Sequence, residues 1–331
     1  MRARPELGLD GDPELVFQPA IDLATGRLLG FEALLRWNDP DLGPIPPGVL
    51  IPWAESNGHM VELNAWVLSE ACAAAAAWQS DLQLAVNCSV FQLRQREAAT
   101  AAAAALEESG LNPDRLTIEI TETSVVDDGA AADLHAMSRL GIQLTVDDIG
   151  SDWSTIESMG QFSINTRKID GTLIEGLADP TGVSRAMVET IVHVSHSLGI
   201  CTVAEMVETG KQVRILRELG ADVGQGFFFA PPLAVEDALT LTTMDPLPVF
   251  PLWSFEGDDD EDDDDLSRLD RQAFVSPGIA AEVMDALDSV RSPGDRGKSD
   301  VIDDDIHVEA NDVSLVSKRG RLMAFRRGRS S

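Results

Sequence analysis

Short apolar runs alternate with longer segments of helical periodicity along most of this 331-residue chain. Eight runs have the length of buried strands: 15–19, 31–37, 83–87, 116–120, 142–146, 166–169, 201–204 and 223–226. Apolar residues recur at three- and four-residue spacings over 63–78, 98–108, 130–140, 183–198 and 212–219. Strands that alternate with helices predict an α/β fold with a mainly parallel sheet. Eight strands favour a closed barrel, while the alternation alone also fits an open doubly wound sheet.

The composition changes abruptly after residue 245. Three prolines precede eight consecutive acidic residues over 258–265, a run that cannot contribute to a core. We therefore predict a barrel domain over 1–245 and an acidic, mostly disordered tail over 246–331. A serine followed by proline predicts a short helix near 277–290 within that tail. The tail also has six basic residues over 318–329, which could bind an anionic surface or the acidic run of the tail itself.

The strongly negative charge of the chain limits the ligands that it can bind. Acidic residues number 56 and basic residues 25, which gives a net charge of −31. The residues before 246 include 36 acidic and 14 basic residues, so the predicted barrel is acidic without the tail. We expect no binding of polymeric nucleic acid, because a phosphate backbone needs clustered lysine and arginine. A small phosphate ligand would need metal ions or a few placed cations.

No feature of the sequence indicates a membrane or a secretory pathway. No apolar run reaches the ~18–20 residues that cross a bilayer. The first residues lead into glycine and aspartate rather than an apolar stretch, so we expect no signal peptide. Three widely separated cysteines without a C-x-x-C pair predict no disulfide and a reducing cytoplasm.

Polar and charged residues mark the carboxyl ends of most candidate strands. They are Glu32, Asn87, Glu119, Glu122, Asp147, Asp148, Lys168, Asp170, Glu205, Glu208 and Gln225. In an α/β barrel these strand ends converge on one face, where active sites lie. One acid at a strand end is usually a helix cap or a solvated loop residue. Strands that so regularly end in acid, amide or lysine are harder to explain as caps and indicate a site.

Carboxylates gathered on one face would repel each other unless cations neutralised them. Carboxylate and amide oxygens are hard ligands that suit Mg²⁺, Mn²⁺ or Ca²⁺ rather than zinc. The adjacent pair Asp147 and Asp148 could reach two metal ions, an arrangement that recurs in phosphodiester hydrolysis. Lys168, among these acids, should stay charged and can orient an attacking water or a phosphate oxygen.

The chain resembles the EAL domain family over 16–234. The residues that carry the resemblance are Phe17-Gln18-Pro19, Glu32-Ala33-Leu34-Leu35-Arg36-Trp37, Ile51-Pro52-Trp53-Ala54-Glu55, Val86-Asn87, Glu119-Ile120-Thr121-Glu122, Asp147-Asp148, Lys168-Ile169-Asp170, Ala204-Glu205, Val207-Glu208-Thr209 and Gln225-Gly226. Any one of these matches is weak, but their order and spacing together are specific. The resemblance implies a modified TIM-like (β/α)8 barrel with one antiparallel strand. It also implies hydrolysis of cyclic di-GMP to the linear dinucleotide, which lowers the level of this second messenger.

The resemblance also assigns roles by position. It implies two Mg²⁺ or Mn²⁺ ions, with first-metal ligands Glu32, Asn87, Glu119 and Asp147 and a second-metal ligand at Asp148. The water-positioning and base pair is Lys168 and Glu205. Contacts to cyclic di-GMP come from Gln18 and Arg36, and supporting groups are Glu122, Glu208 and Gln225. Glu122 would anchor the loop after Asp148, which in the family links metal binding to contacts between two copies of the domain, as in a homodimer.

Four residues depart from the family pattern. Ile149 replaces phenylalanine in the usual Asp-Phe-Gly, and Asp152 replaces a glycine two residues after that motif. Met206 replaces the glycine after Glu205, and Arg167 replaces a leucine before the lysine. The first two replacements lie in the loop after Asp148, and Asp152 adopts positive φ less readily than glycine, so these two bear on closure of the loop.

Two functions are therefore open at the level of sequence. Retention of every inferred ligand favours a metal-dependent phosphodiesterase, because a receptor would not need the whole ligand set. The altered loop and the long charged tail favour a catalytically silent barrel that acts as a cyclic di-GMP receptor or a protein-binding module. Hydrolysis of cyclic di-GMP in Mg²⁺ and in Mn²⁺ separates the two.

Overall fold

A computed structural model describes residues 5, 9, 11–78, 80–125, 127, 129–147, 162, 164–179 and 182–243. Its strands are β1 (Asp12–Asp22), β2 (Leu28–Asp39), β3 (Gly43–Ile45), β4 (Gln83–Asn87), β5 (Leu116–Thr121), β6 (Gln143–Asp147), β7 (Ile164–Ile169), β8 (Cys201–Ala204) and β9 (Val223–Gly224). Its α-helices are α1 (Pro47–Asn57), α2 (Met60–Ala76), α3 (Val90–Gln95), α4 (Ala98–Ser109), α5 (Glu122–Val125), α6 (Ala131–Leu140), α7 (Gly171–Glu175), α8 (Val183–Ser197), α9 (Gly210–Leu219) and α10 (Val235–Thr242). The predicted tail and the 149–152 loop lie outside the described residues.

Eight of the described strands close into a barrel, which confirms the predicted fold and excludes the open sheet. The order around the ring is β1, β9, β8, β7, β6, β5, β4, β2 and back to β1, and β3 pairs only with the outer end of β2. The strand β1 runs antiparallel to both of its neighbours, and the other pairs within the ring are parallel.

The antiparallel start of the barrel follows from a short turn. The Asp22 carboxylate accepts hydrogen bonds from the backbone N–H groups of Ala24 and Thr25 at 2.9 and 2.7 Å, which reverses the chain directly after β1. A connection this short can join only antiparallel strands. The same end of β1 meets β9, where Ile21 lies opposite Gly224.

The interior has two apolar clusters. The larger cluster fills the space between the barrel and its helices, and Leu84 and Val86 of β4 are fully buried in it. The smaller cluster packs α1 against the end of β2 and includes Trp37 and Trp53. Burial of each large apolar side chain contributes ~1.5–3 kcal/mol to folding. The smaller cluster therefore fixes α1 beside the carboxyl end of the barrel, next to the candidate site.

A glycine permits the close contact of β2 with β4. A Cβ at Gly30 would overlap the carbonyl oxygen of Gln83 and lie 2.8 Å from its carbonyl carbon. Gly30 pairs directly with Gln83 in the parallel register that brings these two strands together. Any larger residue would push apart the strands that carry Glu32 and Asn87.

The described helices do not include a membrane-spanning candidate, since each is too short or too polar to cross a bilayer.

The barrel should fold without the tail. The segment 231–243 returns to β1, where Phe17 and Leu233 exchange two backbone hydrogen bonds at 2.7 and 2.9 Å, and Ala238 of α10 is fully buried. A chain that ends at Asp245 should keep the thermal midpoint of the full chain within about 2 °C. A matched chain that ends at Pro231 loses these contacts and should melt about 4 °C lower or more. Loss of cooperative unfolding in the longer truncation would show that the tail is part of the fold.

Candidate active site

The predicted site residues come from seven neighbouring strands of the barrel. Glu32 lies on β2, Glu119 on β5 and Lys168 on β7, and all three side chains are buried. Asn87 ends β4, Asp147 ends β6, Glu205 follows β8 and Gln225 follows β9. In the parallel register Asn87 pairs with Glu119, and Asp147 pairs with Thr121. The structure thus brings these residues together at the carboxyl end of the barrel. Asp148 lies outside the described residues.

The ammonium group of Lys168 lies at the centre of four carboxylates. Its Nζ is 2.5 Å from Glu205 Oε1 and 2.9 Å from Glu119 Oε2. The same atom is 3.3 Å from Glu32 Oε2 and 3.8 Å from Asp147 Oδ2. The Lys168 side chain is only 2% exposed, so water screens these charges weakly. One cation cannot neutralise four anions, and the cluster keeps an excess of negative charge.

The pKa values of the two acids nearest to Lys168 record this excess. Burial raises the pKa of Glu119 well above its usual value, the negative charges of Glu32 and Asp147 add to this rise, and Lys168 offsets it only in part. Burial also raises the pKa of Glu205, to about 8, despite the attraction of Lys168. The cluster therefore retains a proton near neutral pH unless a further cation takes its place.

Glu32 and Lys168 are stabilised in their charged forms. Burial raises the pKa of Glu32, but Lys168 and several hydrogen bonds outweigh it, so the net shift is downward. Two of these bonds come from Asn87 Nδ2 at 2.7 Å and Gln225 Nε2 at 2.8 Å. Burial lowers the pKa of Lys168, but the surrounding acids raise it well above its usual value. Lys168 therefore stays an ammonium.

The donor set has the chemistry of a site for a hard divalent cation. Glu32, Glu119 and Asp147 supply carboxylate oxygens, and Asn87 can offer its amide oxygen because its nitrogen donates to Glu32. Within the described part of the chain, no three His, Cys, Asp or Glu side chains already surround a common cation position. The carboxylates instead converge on Lys168. The oxygen-only composition and the excess negative charge nevertheless fit Mg²⁺ or Mn²⁺.

The two predicted substrate contacts lie on the β1–β2 ribbon beside this cluster. Gln18 pairs with Glu32 across the ribbon and donates from Nε2 to the carbonyl of Ala230 at 2.5 Å. Arg36 lies four residues beyond Glu32 on the same face of β2. Its side chain is half-buried, and its Nη1 donates to the Leu35 carbonyl at 2.9 Å. The ribbon thus places the positive charge of Arg36 farther along β2, beyond the carboxylates.

The predicted supporting groups differ in their surroundings. Gln225 contacts the cluster directly through Glu32. Glu122 begins α5 directly after β5. Burial lowers the pKa of Arg167, and the negative charge of Glu122 partly offsets this shift. Glu208 has an exposed side chain, and its backbone N–H donates to Gln212 Oε1 at 2.8 Å at the start of α9. Asp170 behaves as an ordinary helix cap, because it accepts from the N–H of Thr172 at 2.8 Å.

Two features of the site go beyond what the residue pattern predicts. The pattern places Lys168 among the acids, but its central contacts with residues of four strands depend on the closed barrel. The other is the backbone of Met206, which has a left-handed φ of 52° directly after Glu205. A methionine in a sequence gives no sign of positive φ, and only the replacement of a glycine there hints at it.

Comparison with known proteins gives a consistent result. The model of the EAL domain family matches residues 5–232. An uncharacterized signaling protein of Caulobacter vibrioides is 39% identical over 236 residues, which cover 70% of this chain and 29% of that protein. The bifunctional diguanylate cyclase/cyclic di-GMP phosphodiesterase MucR of Pseudomonas aeruginosa is 34% identical, over 68% of this chain and 34% of MucR. The match therefore spans only about a third of the length of these relatives.

Solved structures resemble the barrel as well. The PaMucR phosphodiesterase in complex with c-di-GMP superposes with a TM-score of 0.64 at 33% identity, over 68% of this chain and 93% of that one. The BlrP1 protein of Klebsiella pneumoniae, in a manganese/cy-diGMP complex, gives a TM-score of 0.60 at 27% identity, over 71% of this chain and 57% of BlrP1. From the family match and these relatives together, we conclude that the chain belongs to the EAL domain family.

Proposed function

We propose that this chain hydrolyses cyclic di-GMP to the linear dinucleotide and that it needs divalent metal ions to do so. The observation that carries the proposal is the set of four carboxylates that surrounds Lys168 at the carboxyl end of the barrel. A site that only bound the nucleotide would not need four acids, two of them buried, around one ammonium, because such acids cost stability unless cations offset them. The MucR and BlrP1 structures with bound nucleotide support the choice of ligand.

The ions would be held by the oxygen donors at the strand ends. These are Glu32, Asn87, Glu119 and Asp147 for one ion, and Asp148 for a second. When bound, Mg²⁺ or Mn²⁺ supplies positive charge that polarises the phosphodiester and makes a nearby water more acidic.

Glu205 is the residue best placed to accept a proton from the attacking water. Burial raises the pKa of Glu205 to about 8 in the metal-free cluster, and bound cations would displace this proton and leave a carboxylate that can act as a general base. Its side chain is 22% exposed, so a water molecule can reach it. Lys168, at 2.5 Å, fixes the direction of the Glu205 carboxylate and offers positive charge to the phosphate.

The substrate would bind along the β1–β2 ribbon. Arg36 has a fixed positive charge and can donate to a phosphate or a guanine oxygen. Gln18 is held by the Ala230 carbonyl and would contact the nucleotide with the rest of its amide. These two residues are distinct from the acids that would activate water, so binding and chemistry can be separated experimentally.

A silent receptor is the second candidate, and the replaced residues around the site favour it. Met206 occupies a left-handed backbone position that suits glycine, and Arg167 is buried, with no hydrogen-bond partner for its Nε among the described residues. Such a protein would bind cyclic di-GMP without cleaving it.

The first prediction concerns the metal. Purified protein should hydrolyse cyclic di-GMP in Mg²⁺ or Mn²⁺ and stop after chelation, and Ca²⁺ should inhibit because it is larger and less rigidly coordinated. In the absence of substrate, Mg²⁺ or Mn²⁺ should also raise the thermal midpoint, because the ions bind the folded cluster and not the unfolded chain. Full turnover after exhaustive chelation would contradict the proposal.

A second prediction separates chemistry from binding. Glu205→Gln keeps the shape of the side chain but removes its charge, so turnover should fall at least ~10²-fold. Affinity for cyclic di-GMP should persist, because Gln18 and Arg36 are unchanged. Glu189→Gln, on the exposed surface of α8, is the matched control and should behave as wild type.

Turnover and affinity are to be measured on all three proteins in the same metal. A Glu205→Gln protein that hydrolyses at the wild-type rate would exclude Glu205 as the base. A wild-type protein that binds tightly and never cleaves would establish the receptor function instead.

A further inference from the structure

Met206 has an unfavourable backbone conformation at a critical point. Its φ of 52° lies in the left-handed region, which glycine adopts freely and other residues adopt at a cost. Among the described residues only Arg96, with φ of 60°, is another non-glycine residue of this kind. Arg96 is the cap residue that follows α3, where a left-handed conformation is ordinary. Met206 does not cap a helix and follows Glu205 directly.

The residues on either side of Met206 are fixed to neighbouring strands. The backbone N–H of Glu205 donates to the carbonyl of Ile169 at 3.3 Å, at the end of β7. The backbone N–H of Val207 donates to the carbonyl of Gln225 at 3.0 Å, after β9. Val207 is also fully buried. The chain therefore turns at Met206 between two fixed points, and the turn determines where Glu205 projects.

The Met206 side chain covers Gly171, the first residue of α7. A Cβ at Gly171 would overlap Met206 Sδ and would lie 2.7 Å from its Cγ and 2.9 Å from its Cβ. The contact thus extends along the methionine side chain and depends on the absence of a side chain at 171. Gly171 lies three residues after Lys168, and Met206 lies one residue after Glu205. The contact between Met206 and Gly171 is therefore close in the chain to both members of the Lys168–Glu205 pair.

We propose that Met206 is a positioning residue whose side chain, seated on Gly171, clamps the end of β8 to the start of α7. The clamp holds the Glu205 carboxylate against the ammonium of Lys168. A glycine at 206 would have an unstrained backbone but would leave this contact empty. The inference rests on the proposed function, since it assigns Met206 to the placement of the general base.

Kinetics of four variants test the clamp. Met206→Ala keeps the left-handed strain and removes the covering chain, whereas Met206→Gly removes both. In each, kcat should fall at least ~10-fold while KM changes less than about threefold, because a base displaced by about 1 Å loses much of its effect. Met206→Gln, unbranched and of similar length, should restore most of the rate. Gly171→Ala should lower kcat because the added methyl displaces Met206.

Two combinations distinguish positioning from general destabilisation. Met206→Ala with Gly171→Ala should be less impaired than the product of the single effects, by at least ~3-fold, because the methyl at 171 occupies the vacated space. In the Glu205→Gln background, Met206→Ala should cause no further loss of turnover. Met187→Ala on α8 and Arg96→Gly are the controls for loss of a methionine and for relief of strain. Both should keep the wild-type kcat.

Amide hydrogen exchange tests the clamp without any turnover. In the metal-free wild type, the N–H groups of Glu205 and Val207 should be protected, and Met206→Ala should speed their exchange at least ~10-fold with little change on α8. This result in a protein that does not cleave cyclic di-GMP would uphold the clamp and reject the phosphodiesterase. Unchanged exchange, or an additive loss of turnover in the Glu205→Gln background, would overturn the clamp.

Discussion

The structure depends on one buried cation, the ammonium of Lys168. Four acids from strands on both sides of the barrel lie within 4 Å of it, and its side chain is almost fully buried. Without this charge, mutual repulsion and the cost of burial would protonate or expel the acids. With it, three of the four can approach as hydrogen-bonded neighbours while an excess of negative charge remains. This excess negative charge makes the carboxyl end of the barrel suitable for divalent cations, because Lys168 neutralises the four acids only in part.

The barrel geometry explains why this cluster can exist. Its antiparallel first strand closes the ring between β9 and β2 and places Glu32 beside Gln18, Asn87 and Gln225. Amides therefore surround Glu32, whose pKa is lowered, and acids surround Glu119, whose pKa is raised. The smaller apolar cluster then fixes α1 at the rim of the same face. The fold thus fixes the backbone around a site in which every charge depends on its neighbours.

Much of this arrangement was predictable from the sequence, because apolar runs and acids at strand ends are local signals. The predicted strands over 83–87 and 201–204 agree with the observed bounds of β4 and β8. The last strand is shorter than predicted, since it ends at Gly224 and Gly226 turns away with a φ of 153°. Helix α1 was not predicted, because Pro52 inside it interrupts the helical signal. The central place of Lys168 and the contact between Met206 and Gly171 needed three-dimensional register, which no spacing encodes.

We propose that the acids around Lys168 form a metal centre. A crystal of the full chain soaked in Mn²⁺ can be examined by anomalous diffraction. We expect anomalous peaks at coordination distance from Glu32, Asn87, Glu119 and Asp147, with Lys168 retained beside Glu205. A crystal without a manganese peak at these residues, in which all four acids still contact only the ammonium, would contradict it.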